Sequence, residues 1–227
     1  MCGRFTQMYS WEEVHAFLSL IGEPQNLRPR YNVSPSQNVA VVRPEEGGRR
    51  LSMLRWGLLP PWAKDVNIGY KLINARAETA HEKPSFRSAF KKRRCLVPAD
   101  GFYEWKKEGA SKQPYLIQMK SAGLFAFAGL WESWKVREGA ELTGKLADLE
   151  PGDEIETFTI LTTDANDFLA DIHNRMPVIL EPTEFDAWLA GEDVPLDPYP
   201  SEQMGAHPVS KLVNSPKNDV PECVEPV

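Results

Sequence analysis

Leu124-Phe125-Ala126-Phe127-Ala128-Gly129-Leu130-Trp131 runs for eight residues without a polar side chain. A strand covered on one face alternates apolar with polar residues, whereas one covered on both faces is apolar throughout, so this run predicts a central strand. Pro114 to Met119, just before it, is a second strand candidate. Further upstream, Arg94 to Ala99 and Phe102 to Lys106 flank Asp100-Gly101 and read as a hairpin. Asn38 to Arg43 and Arg49 to Trp56 read as another, joined through Glu45-Glu46-Gly47-Gly48. Lys71 to Ala75, Thr157 to Thr163, Val178 to Leu180 and a last piece from His207 to Asn214 complete the strand candidates.

Helices are fewer and shorter. Ser10 followed by Glu13 forms the sequence signature of a capping box, with Trp11, Val14, Phe17, Leu18 and Ile21 on one face and Gly22 as the stop. Phe86, Ala89 and Phe90 mark a second helix ending in the basic run Lys91-Lys92-Arg93-Arg94. Thr163 or Asp164 can cap a third through Phe168, Leu169 and Ile172, and Pro182 starts a fourth with Phe185, Trp188 and Leu189 inward and Gly191 beyond its end. Residues 24–35 read as loop, 135–156 as an exposed excursion and 191–200 as an acidic, proline-rich loop. Residues 216–227, Cys223 among them, read as a flexible tail on one domain spanning 1–227. The class is α+β.

With 227 residues, 42% hydrophobic and 26% charged, the chain has an ordinary globular composition. Neither a secretory leader nor an apolar membrane span is visible, so a soluble, cytoplasmic protein is expected. Cys2, Cys95 and Cys223 are an odd number at wide spacing, which suits a reducing compartment; Cys95 reads as core. Four scattered histidines and no paired cysteines argue against a zinc site. The net charge of −6 is unevenly spread: residues 138–156 hold seven acids and one Lys, and 181–203 hold seven acids and no base. The remainder carries 25 basic against 18 acidic side chains, enough for a basic face or simply for solvated surface.

Chemistry points to the amino terminus. Removal of Met1 would give Cys2 a free α-amine beside its thiol, two nucleophiles able to meet one aldehyde carbon; an incidental cysteine on a frayed terminus is the plainer alternative. Glu104, within Gly101-Phe102-Tyr103-Glu104-Trp105, either faces solvent or is a carboxyl held among apolar neighbours with a raised pKa. His173 falls near a helix end, where a dipole partner and an acid–base group are both reasonable. Trp62, after Pro60-Pro61, is either core or an exposed wedge.

Met1 to Phe5, Tyr31-Asn32-Val33-Ser34-Pro35, Trp56-Gly57-Leu58 with Pro61-Trp62, Ile73 to Thr79, Phe102 to Trp105, Ile172 to Pro177 and His207 to Ser210 together resemble the SOS-response-associated peptidase family, in that family's order. The excursion 138–156, and Ala63 where some relatives carry a second tryptophan, depart from the pattern. The resemblance implies curved, mainly antiparallel sheets approaching a barrel with flanking helices. It implies a shield for abasic sites in single-stranded DNA, in which Cys2 forms a thiazolidine with the sugar aldehyde and Asn74, Glu104 and His173 surround it. It further implies that Arg4, Pro35, Arg76 and Arg175 hold the DNA backbone while Trp62 and Trp105 stack on or wedge against bases. No metal or organic cofactor and no obligatory protein partner is implied, so a monomer, nucleoid-associated when bound to DNA, is expected. The competing readings are an N-terminal-nucleophile amidohydrolase, with activity as limited as removal of its own Met1, and a non-covalent single-strand-binding module.

Overall fold

The apolar run around Phe127 lies in the middle of a sheet. In the structure, a computed structural model that describes residues 2–227, the elements in chain order are β1 (Phe5–Gln7), α1 (Trp11–Leu18), β2 (Arg30–Val33), β3 (Asn38–Glu45), β4 (Gly48–Trp56), β5 (Asn74–Arg76), α2 (Ala77–Ala80) and α3 (Arg87–Lys92). They continue with β6 (Arg94–Ala99), β7 (Gly101–Glu108), β8 (Ser111–Met119), β9 (Phe125–Lys135), β10 (Glu154–Asp164), α4 (Asp167–Ala170), β11 (Arg175–Pro177), β12 (Ile179–Leu180), α5 (Phe185–Ala190) and β13 (Met204–Pro208).

Gly129 of β9 has Cys95 of β6 opposite it on one side and Ile160 of β10 on the other. From β10 the pairing continues to β4, β3 and back to β6, so five strands close into a barrel. All these pairings are antiparallel except β10 with β4. Closure needs a glycine at 129, because a Cβ there would lie 2.8 Å from Cys95 Sγ and 3.0 Å from Val97 Cγ2. The second sheet runs β13-β8-β7-β1-β2. The expected curved, barrel-like α+β architecture is therefore present. Among the described residues no helix is long and apolar enough to cross a membrane.

Alternation along the strands sorts the core into two layers. Val39, Val41, Cys95, Val97, Phe125 and Phe127 join one cluster with Cys2, Phe5 and Phe102, so the barrel interior is continuous with the second sheet. Ala40, Val42, Leu96, Ala126, Ala128 and Leu130 point the other way and are covered by Trp11, Val14 and Leu18 of α1 and by Phe185 and Trp188 of α5. Both faces of β9 are thus buried.

Several boundaries and pairings differ from the expectations. The capping box at Ser10 and Glu13 forms, but α1 stops at Leu18 through Ser19 in the left-handed region, φ 49°, rather than running to Gly22. Residues 30–33, read as loop, form β2 by pairing with β1. Of the expected 71–75 strand only Asn74 and Ala75 fall in a strand, β5, since Val66–Lys71 is a 3-10 turn. The third helix takes Asn166 as its cap.

β6 and β7 are not a hairpin: β6 pairs with β3 and β9 in the barrel, while β7 pairs with β1 and β8. Asp100 is the corner between sheets, its carboxylate accepting from the Met8 N–H at 2.6 Å and from the Thr6 hydroxyl. The excursion after β9 has its own small core, with Leu146 and Val136 packed on Leu59, Ala63, Val66 and Trp134.

Residues 216–227, expected to be a flexible tail, are instead docked. Asp219 accepts from the N–H groups of Tyr31 (2.6 Å) and Asn32 (3.0 Å) and pairs with Arg30 Nε at 2.7 Å. Cys223 is buried against Tyr103, Leu116, Val209 and Val213. The terminal position that suggested a tail does not prevent these specific contacts.

Candidate active site

Antiparallel pairing of β1 with β7 sets Phe5 opposite Phe102, and the Tyr103 N–H donates to the Arg4 carbonyl at 2.9 Å. Carried back along β1, that register draws Cys2 to Glu104. Cys2 is fully buried, and its Sγ donates to the Arg4 carbonyl at 3.8 Å. Burial pushes the thiol pKa far up, and the neighbouring Glu104 charge pushes it in the same direction. Of the two readings open for Glu104, the buried one holds: the side chain is 3% exposed. Burial raises its pKa, partly opposed by His173. Glu104 thus interacts with both Cys2 and His173.

His173 sits between α4 and β11, where its Nδ1 accepts from the Arg175 N–H at 3.0 Å. The Arg175 carbonyl oxygen lies 3.2 Å from the same nitrogen, so Nδ1 has both a backbone donor and a backbone acceptor within reach. Asn74 begins β5, opposite Ile160 of β10. Its Oδ1 and Nδ2 are both buried and have no hydrogen-bond partner among the described residues. A buried amide left this way is costly, and it stands ready for an incoming polar group. Ile73, beside it, and Ile160 both pack in the cluster that contains Cys2.

The expected DNA-contacting residues divide into engaged and open. Arg4 donates to Asn32 Oδ1 at 2.8 Å and to the carbonyls of Val213 and Asn214, the first at 2.5 Å and the second at 3.2 Å. Arg175 donates to both carboxylate oxygens of Glu78, to Asp164 Oδ1 at 2.7 Å and to the Thr162 carbonyl at 2.6 Å. That bond, with smaller help from Arg76, holds the Glu78 carboxyl below the usual range against the opposing effect of its burial. Trp105 Nε1 donates to Asn214 Oδ1 at 2.7 Å. Arg76 and Trp62 are exposed, Trp62 by 49%, so the exposed reading of Trp62 holds. Pro35 is half-buried beside Ser36, whose φ is 69°.

Sequence reasoning missed the residues that hold these groups. Asn32, fully buried, donates to the carbonyls of Val213 (3.2 Å), Ser215 (3.1 Å) and Asn218 (2.6 Å) while receiving Arg4. Glu78 and Asp164 are the partners of Arg175. Asn32 and Glu78 lie inside the recognised motifs, but nothing in their spacing announces partners so remote.

A family model described as SOS response associated peptidase (SRAP) matches residues 1–216. The chain is 45% identical over 236 residues to the abasic site processing protein YoqW of Bacillus subtilis (strain 168), covering 99% of each. It is 33% identical to the abasic site processing protein HMCES of Gallus gallus, over 88% of this chain and 67% of that one. A crystal structure of a protein from Bacteroides thetaiotaomicron superposes with a TM-score of 0.84 at 29% identity, covering both chains completely. The chain belongs to the SRAP family.

Proposed function

We propose that this protein processes abasic sites in single-stranded DNA by capturing them covalently through Cys2 once Met1 has been removed. The observation that carries this reading is the buried Cys2 thiol beside the buried Glu104 carboxyl, with His173 interacting with that carboxyl. The names of the relatives point to the same substrate.

The ring-opened abasic sugar presents an aldehyde. The α-amine of Cys2 adds to its carbon, and loss of one water gives an imine. The Cys2 sulfur then bonds to the imine carbon while the thiol proton passes to nitrogen, closing a five-membered thiazolidine. Imine formation needs a proton removed from the amine and one delivered to the departing oxygen. A carboxyl whose pKa burial has raised can do both in turn, and this is the role proposed for Glu104. His173 is the donor suited to the sugar ring oxygen as the hemiacetal opens. The unpartnered Asn74 amide can orient the amine and a sugar oxygen together. A buried, protonated thiol protects the reagent until an imine is available to consume it.

The direct test incubates the purified chain with an abasic oligonucleotide and resolves the products on a denaturing gel. A Cys2-dependent adduct is expected. A hydrolytic reading takes its support from the same Cys2–Glu104 pair and from the peptidase in the family's description. Turnover of an amide without any adduct would establish it instead.

Glu104→Gln is expected to slow adduct formation by roughly 10²-fold or more, the usual contribution of a general acid–base group. The same change should stabilise the fold at neutral pH. Because the folded pKa is raised, the contribution of Glu104 to stability is complete below the ordinary glutamate value of about 4.3 and is lost as pH rises through the folded value. Thermal melts from pH 4 to 8 check the sign: the variant gains relative to wild type as pH rises. Trp62→Ala should weaken binding of intact single strands by about 5- to 150-fold, the equivalent of ~1–3 kcal/mol of stacking, with little change in melting temperature.

A further inference from the structure

A cavity of about 430 Å³ lies on the outer face of β4, lined by Arg30, Ser36, Gln37, Asn38, Arg55, Lys145 and Leu146. Its three charged lining residues are all cations. Arg30 is paired with Asp219. Arg55 donates to the Ser36 carbonyl and interacts with the Tyr70 side chain, and no carboxylate pairs with Arg55 or with Lys145 among the described residues. A half-buried guanidinium with donors left over, beside a free ammonium, is a site for an anion with several acceptor oxygens.

Lys145 comes from the excursion. Residues 138–156 carry seven acids and this single base, yet the base is the charge that the excursion contributes to the cavity wall. Placement is fixed from below, because the next residue, Leu146, is buried among Leu59, Ala63 and Val66. Glu141 bridges Asp65, and the Glu141 N–H donates to the Lys64 carbonyl at 2.8 Å. The excursion is thereby joined to the segment that carries two exposed aromatics, Trp62 at 49% and Tyr70 at 54%. Tyr70 interacts with Arg55 of the cavity wall, and an exposed aromatic beside a cationic cavity suits a single strand, with phosphate held electrostatically and a base taken by its face.

We propose that the Arg30–Arg55–Lys145 cavity, with Tyr70 beside it, binds a backbone phosphate of single-stranded DNA at nucleotides beyond those held at Cys2. The inference rests on the reading of the protein as a single-strand binder, but not on covalent capture.

The test therefore uses intact oligo(dT), which has no aldehyde, in lengths of 5 and 20 nucleotides, with affinity followed by fluorescence anisotropy from 50 to 200 mM salt. The wild type should prefer the 20-mer. Lys145→Glu, at an exposed side chain, and Arg55→Gln should each reduce that preference about tenfold. Each should also lower the slope of log affinity against log salt by about 0.7, the value for one phosphate contact on a single strand. Arg55→Lys should recover part of the loss. Melting curves identify a variant that fails to fold, and Lys145→Glu then carries the test alone. An unchanged preference and slope in the folded variants, or a wild type that binds both lengths equally, overturns the proposal. Absence of an adduct with an abasic strand overturns covalent capture and leaves this measurement intact.

Discussion

Cys2→Ala is expected to abolish the adduct with abasic single-stranded DNA, a loss of at least 10³-fold in crosslinking rate, while affinity for the intact strand stays within a few-fold of wild type. Sulfur supplies the bond that closes the thiazolidine, and no other thiol can replace it: Cys95 is buried in the barrel and Cys223 is buried where the carboxyl-terminal segment docks on Tyr103 and Leu116. The substitution removes one buried atom and should cost about 1 kcal/mol of stability, too little to unfold the chain. Cys2→Ser separates the two steps. It retains the α-amine after Met1 removal, so an imine should still form and be trapped by borohydride, whereas no adduct should survive denaturation without reductant. A Cys2→Ala protein that crosslinks at the wild-type rate would remove Cys2 from the chemistry.

Asn32→Ala should be the most damaging single change away from that thiol. Its amide nitrogen serves three carbonyls at 213, 215 and 218, and its oxygen receives Arg4 at 2.8 Å. Truncation strands these groups in a site closed to water, with each buried unsatisfied group worth about 1–3 kcal/mol, so a total of roughly 3–5 kcal/mol is expected. For a chain of this size that corresponds to a fall in melting temperature of the order of 10 °C. Function should suffer with it, because Arg4 loses a partner and Asn214, which receives Trp105, loses its anchor. Asn32→Asp keeps the acceptor for Arg4 and removes the donors. A cost similar to that of alanine would assign the effect to the three carbonyls, whereas a cost near zero would assign it to Arg4.

Strand identity was largely legible because apolar patterning reports how many faces of a segment are covered. The run at 124–131 was read as doubly buried, and it is; Ser10 and Glu13 announced a helix start, and Pro182 with Gly191 bracketed the last helix. The same patterning is silent about which strand lies alongside. Residues 94–99 and 101–108 carry the marks of a hairpin, yet Asp100 sends them into different sheets, since β6 needs cover on both faces and β7 needs β1. Terminal position misled at 216–227 for a related reason. Asp219 looks like solvated surface until the backbone of Tyr31 and Asn32 is brought to it.

By itself the sequence determined most of the strand and helix segments, the α+β class and, through motifs in register, the family whose pattern the chain follows. Those properties depend on neighbours a few positions apart. Tertiary structure alone decided that the barrel closes between β9 and β10, that Glu104 is buried beside Cys2 instead of facing water, and that Arg4 and Arg175 already have partners. Arg4 and Val213 are 209 residues apart, and Arg175 and Glu78 are 97 apart. The pKa of a carboxyl and the availability of a guanidinium are set by what surrounds them, and here those surroundings come from segments that only folding brings together.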